Sequence, residues 1–422
     1  GIIRTGRNDN MQIEKNTGSQ ARERLSLLFD DGIYSEINSM VKEKDDLTGV
    51  VSAYGYVNGN AVYAFSQDKT VNGGAVGNAQ AAKIAKLYEL AAKTGTPIVG
   101  IHDSDGAFVD GTAASLAAYG KMLNATSVVS GVVPQISVIA GTCAGTAALL
   151  ACSSDFVIVT KESEFFAAPN SSKGSAQAAA ESGIAAAVCD DDKAAIEKAR
   201  DLVNILPVNN LAPVPMFEFA DAAPSASGDY KAVISSVADA DSEIELYAEF
   251  GTEAYTGFVT VGGSTVGVAY AGKNSGKLTS DDCMKLARFV RTCDAFSIPV
   301  VSFVDSEGFA DADAVSAIKA MTTLANSYAE ATTVKIAVVT GKAVGPVFTA
   351  IAGSGANADF TYSYPDAVIA PFAAVTAVEF MWHDKLKNAE NLDAERNKLA
   401  SEYEKTLASA QAAAENNFID DV

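Results

Sequence analysis

Two short turns carry most of the chemistry that this sequence offers. Cys143-Ala144-Gly145-Thr146-Ala147 and Ala343-Val344-Gly345-Pro346-Val347 each follow an apolar run and precede a helical pattern. A strand that ends in a glycine turn and opens a helix leaves backbone N–H groups unpaired, and the helix dipole adds partial positive charge there. Such a turn binds phosphate, or steadies an oxyanion as it develops on a carbonyl. A pair of them suits a reaction with two carbonyl-like groups, one enolising and one leaving as an anion. Glycine turns are also ordinary punctuation in α/β proteins, so the two turns stand here as candidates.

Side-chain chemistry is sparse. There is no G-x-S-x-G, no H-E-x-x-H and no Walker A pattern. Asp103-Ser104 and Asp305-Ser306 fall at predicted strand ends, where α/β sheets gather their sites. Without a histidine partner they read as turn-capping residues. His102 alternates with apolar neighbours and reads as a satisfied core or interface histidine. Asp190-Asp191-Asp192 reads as a solvated helix start and not as a metal site. Cys143 reads as a small buried hydrophobe.

The turns belong to a repeat. Pro97-Ile-Val-Gly-Ile-His-Asp-Ser-Asp-Gly106 matches Pro299-Val-Val-Ser-Phe-Val-Asp-Ser-Glu-Gly308. Ile136–Gly145 (ISVIAGTCAG) matches Ile336–Gly345 (IAVVTGKAVG), and Asp155-Phe156 matches Asp359-Phe360. The helical patterns Ala81–Thr94 and Asp282–Ala295 each run into the proline-containing strand. The chain is thus two copies of one domain-sized unit. Each reads as a hairpin, helix, buried strand, glycine turn, helix, buried strand, glycine turn and helix. Asn58-Gly59 and Gly262-Gly263 mark the hairpin turns. This order predicts an α/β fold with a largely parallel sheet. The boundaries are set at 1–212 and 213–422, with Pro213 to Gly228 as the linker. Ala21–Phe29 reads as a short amphipathic helix, and Leu386–Phe418 as one long helical pattern.

Composition narrows the function further. The 422 residues are 48% hydrophobic and 20% charged, enough for a large core. With 31 Lys+Arg against 52 Asp+Glu the net charge is −21, and no basic field exists to hold nucleic acid. Five cysteines suit a reducing compartment better than a disulfide scaffold, and two histidines cannot build a His-rich metal site. The first residues are polar and lack a signal-peptide core, so a cytoplasmic protein is expected. Lys121–Asp155 is free of charge between its ends, but Pro134, Gln135 and the glycine turn interrupt it. It reads as a buried helix, a strand and a second helix, not a membrane span.

Further segments extend the pattern over nearly the whole chain. They are Ala21-Arg-Glu-Arg-Leu-Ser-Leu-Leu-Phe29, Ser66-Gln-Asp-Lys-Thr-Val-Asn-Gly-Gly74, Ser130-Gly-Val-Val-Pro-Gln-Ile-Ser-Val138 and Cys143-Ala-Gly145. In the second half they are Lys285-Leu-Ala-Arg-Phe-Val-Arg-Thr-Cys-Asp-Ala-Phe296, Val304-Asp-Ser-Glu-Gly-Phe309, Tyr328-Ala-Glu-Ala331, Gly341-Lys-Ala343 and Asn357-Ala-Asp-Phe360. Together they resemble the carboxyltransferase subunits of biotin-dependent acyl-CoA carboxylases and decarboxylases. The similar types are propionyl-CoA carboxylase β and methylmalonyl- or glutaconyl-CoA decarboxylase α.

That resemblance implies two tandem crotonase-like (ClpP/crotonase) domains from an internal duplication. It implies carboxyl transfer between carboxybiotin and a short acyl-CoA through a thioester enolate, or the reverse decarboxylation. The 1–212 domain would take the acyl-CoA and the 213–422 domain the biotin. Gly145 and Thr146 would donate to the thioester oxyanion, and Gly345, the residue after it and Val347 to the biotin oxyanion. Gly106, Ala144, Ala343, Val344 and Gly308 would line the CoA and biotin sites. Biotin would arrive on a separate biotin carboxyl carrier protein. Met284-Lys285 resembles a biotinylated Met-Lys only superficially, since it lies in a helical stretch. A homodimer or homohexamer is implied, with membrane decarboxylase subunits as further partners.

The chain departs from the family pattern at both turns. Asp103-Ser-Asp105-Gly106-Ala107-Phe108 stands where the family has Asp-Ser-Gly-Gly-Ala-Arg. Thr146 and Pro346 occupy glycine positions, and proline has no N–H to donate. Ser306-Glu307-Gly308-Phe309 stands for Val-Pro-Gly-Phe, and relatives commonly continue past the residues matching Phe418–Val422. These changes set a second reading beside the enzyme, a catalytically degenerate scaffold subunit of a biotin-dependent complex. A crotonase-type hydratase or hydrolase is a third, with Asp105 and Glu307 as its carboxylates. Their symmetric placement favours turn roles instead.

Overall fold

The computed structural model describes residues 19–168, 171–223, 229–310 and 315–422. The polar residues 1–18 and the end of the expected linker, 224–228, lie outside the described residues. The chain divides into two compact units, Gly1–Pro213 and Val214–Val422.

In the first unit, helix α1 (Gln20–Leu28) is capped by Ser19, whose hydroxyl accepts the Arg22 N–H. Strands β1 (Tyr34–Ile37), β2 (Val50–Val57) and β3 (Asn60–Gln67) form an antiparallel meander. Asn58 and Gly59, with φ of 49° and 79°, close the β2–β3 hairpin as a two-residue turn requires. Helix α2 (Asn78–Thr94) buries Ala81, Ile84, Ala85, Tyr88 and Ala91, the spacing of one helical face. Then come β4 (Ile98–Ser104), α3 (Thr112–Val129), β5 (Gln135–Ala144), α4 (Thr146–Cys152), β6 (Phe156–Thr160) and β7 (Glu164–Phe166). β8 (Gly174–Ser175), α5 (Ala176–Glu181), β9 (Ala187–Cys189) and α6 (Asp192–Ile205) complete the unit.

The main sheet runs β1-β2-β3-β4-β5-β6-β9 and is parallel from β3 onward. β5 is long enough to serve two pairings. Its first half lies between β4 and β6, and its second half pairs β7 from Thr142↔Glu164 to Ala144↔Phe166. The register slips between His102 and Ser104, where the strand changes partners.

The second unit repeats this plan. It comprises α7 (Tyr230–Val237), β10 (Ile244–Leu246), β11 (Ala254–Val261), β12 (Ser264–Ala271), α8 (Ser280–Ala295), β13 (Val300–Ser306), α9 (Val315–Glu330) and β14 (Lys335–Val344). α10 (Pro346–Ile351), β15 (Phe360–Ser363), β16 (Val368–Ala370) and helices α11 (Ala374–Met381), α12 (His383–Lys387), α13 (Leu392–Lys405) and α14 (Ala410–Glu415) follow. The sheet runs β10-β11-β12-β13-β14-β15, and β16 pairs the far end of β14. The same slip recurs between Val304 and Ser306. The repeated Asp-Phe has a visible purpose. The Asp155 carboxylate accepts the Gln135 N–H and the Asp359 carboxylate the Lys335 N–H, both at 2.8 Å, pinning the starts of β5 and β14.

Three expectations change. The tail is not one helix but three, because Asn391 and Ser409 turn their side chains to cap new helix starts at Ala394 N and Ala412 N. These helices pack on β16 through Val368, Ala370, Leu399 and Tyr403. Helix α3 is buried on one face only: Tyr119, Met122 and Val129 are in the core, while Leu116 and Val128 stand about two-thirds exposed on the other. The first part of the expected linker is seated, with the Phe217 N–H donating to Gly263 O at 2.8 Å.

The units also differ. β6 is buried along its whole length, with β9 paired to it and α6 packed on it. β15 keeps Phe360 and Tyr362 exposed and stacked with rings 6.1 Å apart, because no counterpart of α6 follows it among the described residues.

His102 sits in the first core. Its ring meets the Phe65 ring edge-on at 5.3 Å, Nε2 pairs with the Ser137 hydroxyl at 3.2 Å, and Nδ1 has no partner among the described residues. It is therefore a core histidine only half satisfied. Burial pushes its pKa down from 6.5 to about 4. The unfolded chain thus binds the extra proton first. The stabilisation is complete above pH 6.5 and is lost as pH falls toward 4, on the order of 3 kcal/mol. Urea unfolding at pH 7 and near pH 4 should show this loss, and His102→Gln should remove that part of the acid sensitivity.

Candidate active site

In each unit two turns meet at the end of the long strand. After β4, Ser104 Oγ accepts the Gly106 N–H at 3.0 Å and donates to Gly74 O at 2.8 Å. Gly106 has φ +105°, and a Cβ placed there would lie 3.1 Å from Ala144 O. The Gly106 turn therefore lies directly against the Ala144–Ala147 turn. Gly145 takes φ 58° and ψ −127°, a conformation open to glycine, and the space where its Cβ would stand is clear to 4 Å. Its N–H donates to Phe166 O at 2.7 Å, and its carbonyl accepts from Ala148. The amides of Ala107, Thr146 and Ala147 have no acceptor among the described residues.

The second unit builds the same place with one donor fewer. The Gly308 N–H goes to Ser306 Oγ at 3.3 Å and the Gly345 N–H to Ala370 O at 2.8 Å. Gly345 has φ 65° and ψ −140°. Pro346 opens α10 and carries no N–H, so Phe309 and Val347 hold the amides left without an acceptor among the described residues. Beside Gly345 lies an apolar cavity of about 480 Å³, lined by Phe348, Ile369, Pro371, Leu407 and Phe418.

The open amides thus differ from those expected from the sequence. The glycine amides tie each turn to the neighbouring strand, and the residues after the glycines present the open N–H groups. Ala343 and Val344 are buried, so they shape the turn from beneath. Cys143 is fully buried and its thiol is pushed up by desolvation, which removes it as a nucleophile. Phe108 packs against Gly77, with Lys44 Nζ 5.3 Å from its ring centroid.

The aspartates do more than cap turns. Asp103 Oδ1 accepts the Thr142 N–H at 3.1 Å, and Asp305 Oδ1 accepts the Lys342 N–H at 2.9 Å. Each carboxylate reaches the adjacent strand over a glycine. A Cβ at Gly141 would stand 2.3 Å from Asp103 Oδ1, and one at Gly341 2.2 Å from Asp305 Oδ1. In the first unit Arg24 adds a buried ion pair to Asp103 at 3.1 Å, joins Asp192 at 2.8 Å and donates to Ala140 O. In the second, Ser275 Oγ donates to Asp305 at 2.6 Å. Sequence reasoning missed Arg24, Gly141 and Gly341, although both glycines occupy the same place in the repeat. It also missed Lys69, whose Nζ lies 2.5 Å from Thr142 Oγ1 and 3.5 Å from Asp105, and Lys342, 2.7 Å from Glu307. Asp105 and Glu307 are therefore lysine-paired acids.

Comparison with known proteins identifies the family. Residues 14–422 match the carboxyl transferase domain family, and the chain belongs to that family. It is 34% identical to a propionyl-CoA carboxylase beta chain from Cereibacter sphaeroides over 95% of this chain and 87% of the relative. It is 33% identical to a methylmalonyl-CoA decarboxylase subunit alpha from Propionigenium modestum, over 97% and 89%. A transcarboxylase 12S crystal structure, a hexamer assembly with methylmalonyl-coenzyme A and methylmalonic acid bound, superposes with a TM-score of 0.89 at 33% identity. That match covers 99% of this chain and 88% of the other. The crotonase-like fold and the carboxyl transferase activity expected from the sequence are borne out. No helix among the described residues is long and apolar enough to cross a membrane.

The two aspartates should respond differently to truncation. Asp103→Ala leaves the Arg24 guanidinium buried with one partner fewer and should destabilise by about 3 kcal/mol. Asp305→Ala loses only two hydrogen bonds and should cost about 2 kcal/mol. Urea unfolding of the full chain measures both, and equal losses would contradict the account.

Proposed function

We propose that this chain moves a carboxyl group between a carboxylated biotin on a separate carrier protein and a short acyl-CoA of the propionyl or methylmalonyl class. The first unit handles the thioester and the second the biotin. The observation that carries the reading is the duplicated pair of turns with open amides, since the reaction develops negative charge on two oxygens. The clear space over Gly145 and the acceptor-free amides beside it fit a thioester oxygen. Ala107, Thr146 and Ala147 would hold that oxygen as the enolate forms. Phe309 and Val347 would hold the ureido oxygen of biotin, with the apolar cavity beside Gly345 against its ring. Bound biotin supplies the carboxyl group, and the base that exchanges the α-proton. The protein supplies fixed dipoles, which act without reorganising as charge develops.

The functional assembly would be a homo-oligomer with a biotin carrier, on the pattern of the relatives. Pro346 supports the second reading, a subunit whose biotin turn has weakened. The two are separated by an assay with carboxylated carrier and propionyl-CoA or, in reverse, methylmalonyl-CoA. Turnover is expected, and none in the intact complex would leave the scaffold reading. Thr146→Pro should keep the helix start, as Pro346 shows for the other unit. It should lower the catalytic rate by about 10²–10³ through loss of one N–H, with little change in thermal stability.

A further inference from the structure

Each turn carries an acid on its lip and a lysine on that acid. Asp105 and Glu307 are equivalent residues, each just before the turn glycine. Thr142 and Lys342 are also equivalent, each giving its N–H to the aspartate described above. In the second unit the ammonium comes from Lys342 itself, 2.7 Å from Glu307 and 3.6 Å from Glu404. In the first unit that position is threonine, and the ammonium arrives from Lys69 in a different segment. Lys69 Nζ rests on Thr142 Oγ1 at 2.5 Å, 3.5 Å from Asp105 and 3.9 Å from Asp103.

One spot beside each turn is therefore filled by a cation from two unrelated sequence positions. Duplication does not account for it: the in-register copy of Lys69 is Lys273, whose Nζ lies over the Tyr230 ring at 5.3 Å, so the cation at the second turn is not that copy. Stability does not account for it either. The lysine side chains are 43% and 39% exposed and their acid partners 58% and 43%, and pairs so wet contribute little. Charge at the turn does account for it. An unpaired carboxylate on the lip would repel the oxyanion forming on the adjacent amides, and unlike a hydrogen bond this repulsion acts over several ångströms. Glu307 raises the pKa of Lys342, which keeps that ammonium charged.

We propose that Lys69 and Lys342 are positioning residues for carboxyl transfer, holding Asp105 and Glu307 neutralised so that negative charge can develop at the two turns. This rests on the reading of the turns as oxyanion sites. Because the effect grows as charge develops, it falls on the catalytic constant more than on the KM for acyl-CoA.

The test is a rescue series in the full chain with its carrier, assayed at low ionic strength. Lys342→Met should lower kcat about five- to tenfold, with KM for propionyl-CoA within about twofold. Lys342→Met with Glu307→Gln should regain the part of the loss due to Glu307, adding Glu404→Gln should regain the rest, and Lys342→Arg should keep near-native activity. Lys69→Met and Lys69→Met with Asp105→Asn should behave alike. A single variant as active as the wild type overturns the inference. So does a loss that the acid-to-amide substitutions fail to recover while thermal melting matches the wild type. Both of these results leave the oxyanion reading standing. A wild-type chain with no turnover instead removes that reading and the inference together.

Discussion

A carboxylate that crosses from one strand to the next sets the geometry of both sites. Asp103 reaches over Gly141 to the Thr142 amide, and Asp305 over Gly341 to the Lys342 amide. That bond holds the long strand at the point where it leaves one pairing and enters another. The following three residues then fall into the turn, and the short helix starts where it must. Replacing either glycine by any other residue would drive a Cβ into the carboxylate. The geometry of the two turns is thus fixed by two side chains that bond to the adjacent strand.

Much of this was legible in the sequence because the chain repeats itself. The hairpins, the parallel strands, the helices α2 and α8 and both glycine turns follow from matching segments and periodicity. What stayed illegible depended on distance. Arg24 meets Asp103 and Asp192 across 79 and 168 residues, and Lys69 meets Thr142 across 73. No local pattern reports such meetings. The tail misled for another reason. A run without glycine or proline reads as one helix, yet Asn391 and Ser409 compete for the backbone and break it. The same limit applied to the donors, since only hydrogen-bond partners show that the glycine amides are engaged.

The two units share a plan and differ in finish. The first has an arginine under its aspartate, a helix over β6 and, among the described residues, three amides without an acceptor at its turn. The second has a serine and, among the described residues, an exposed pair of aromatic rings and two such amides. Proline at position 346 is well suited to start a helix and costs the site a donor. Local stability and catalytic capacity therefore pull against each other at a single residue. The same tension shows how two copies of one unit can keep a common plan and still diverge at the turn.

The engaged glycine amides carry one more consequence. With Gly145 tied to Phe166 and Gly345 to Ala370, each turn is anchored to the neighbouring strand before any group arrives. A rigid array of dipoles favours the one placement of oxygen for which it was set. Thioesters that hold the carbonyl an ångström away would be discriminated against by misfit rather than by exclusion, so selectivity among acyl groups would register in turnover before it registered in affinity.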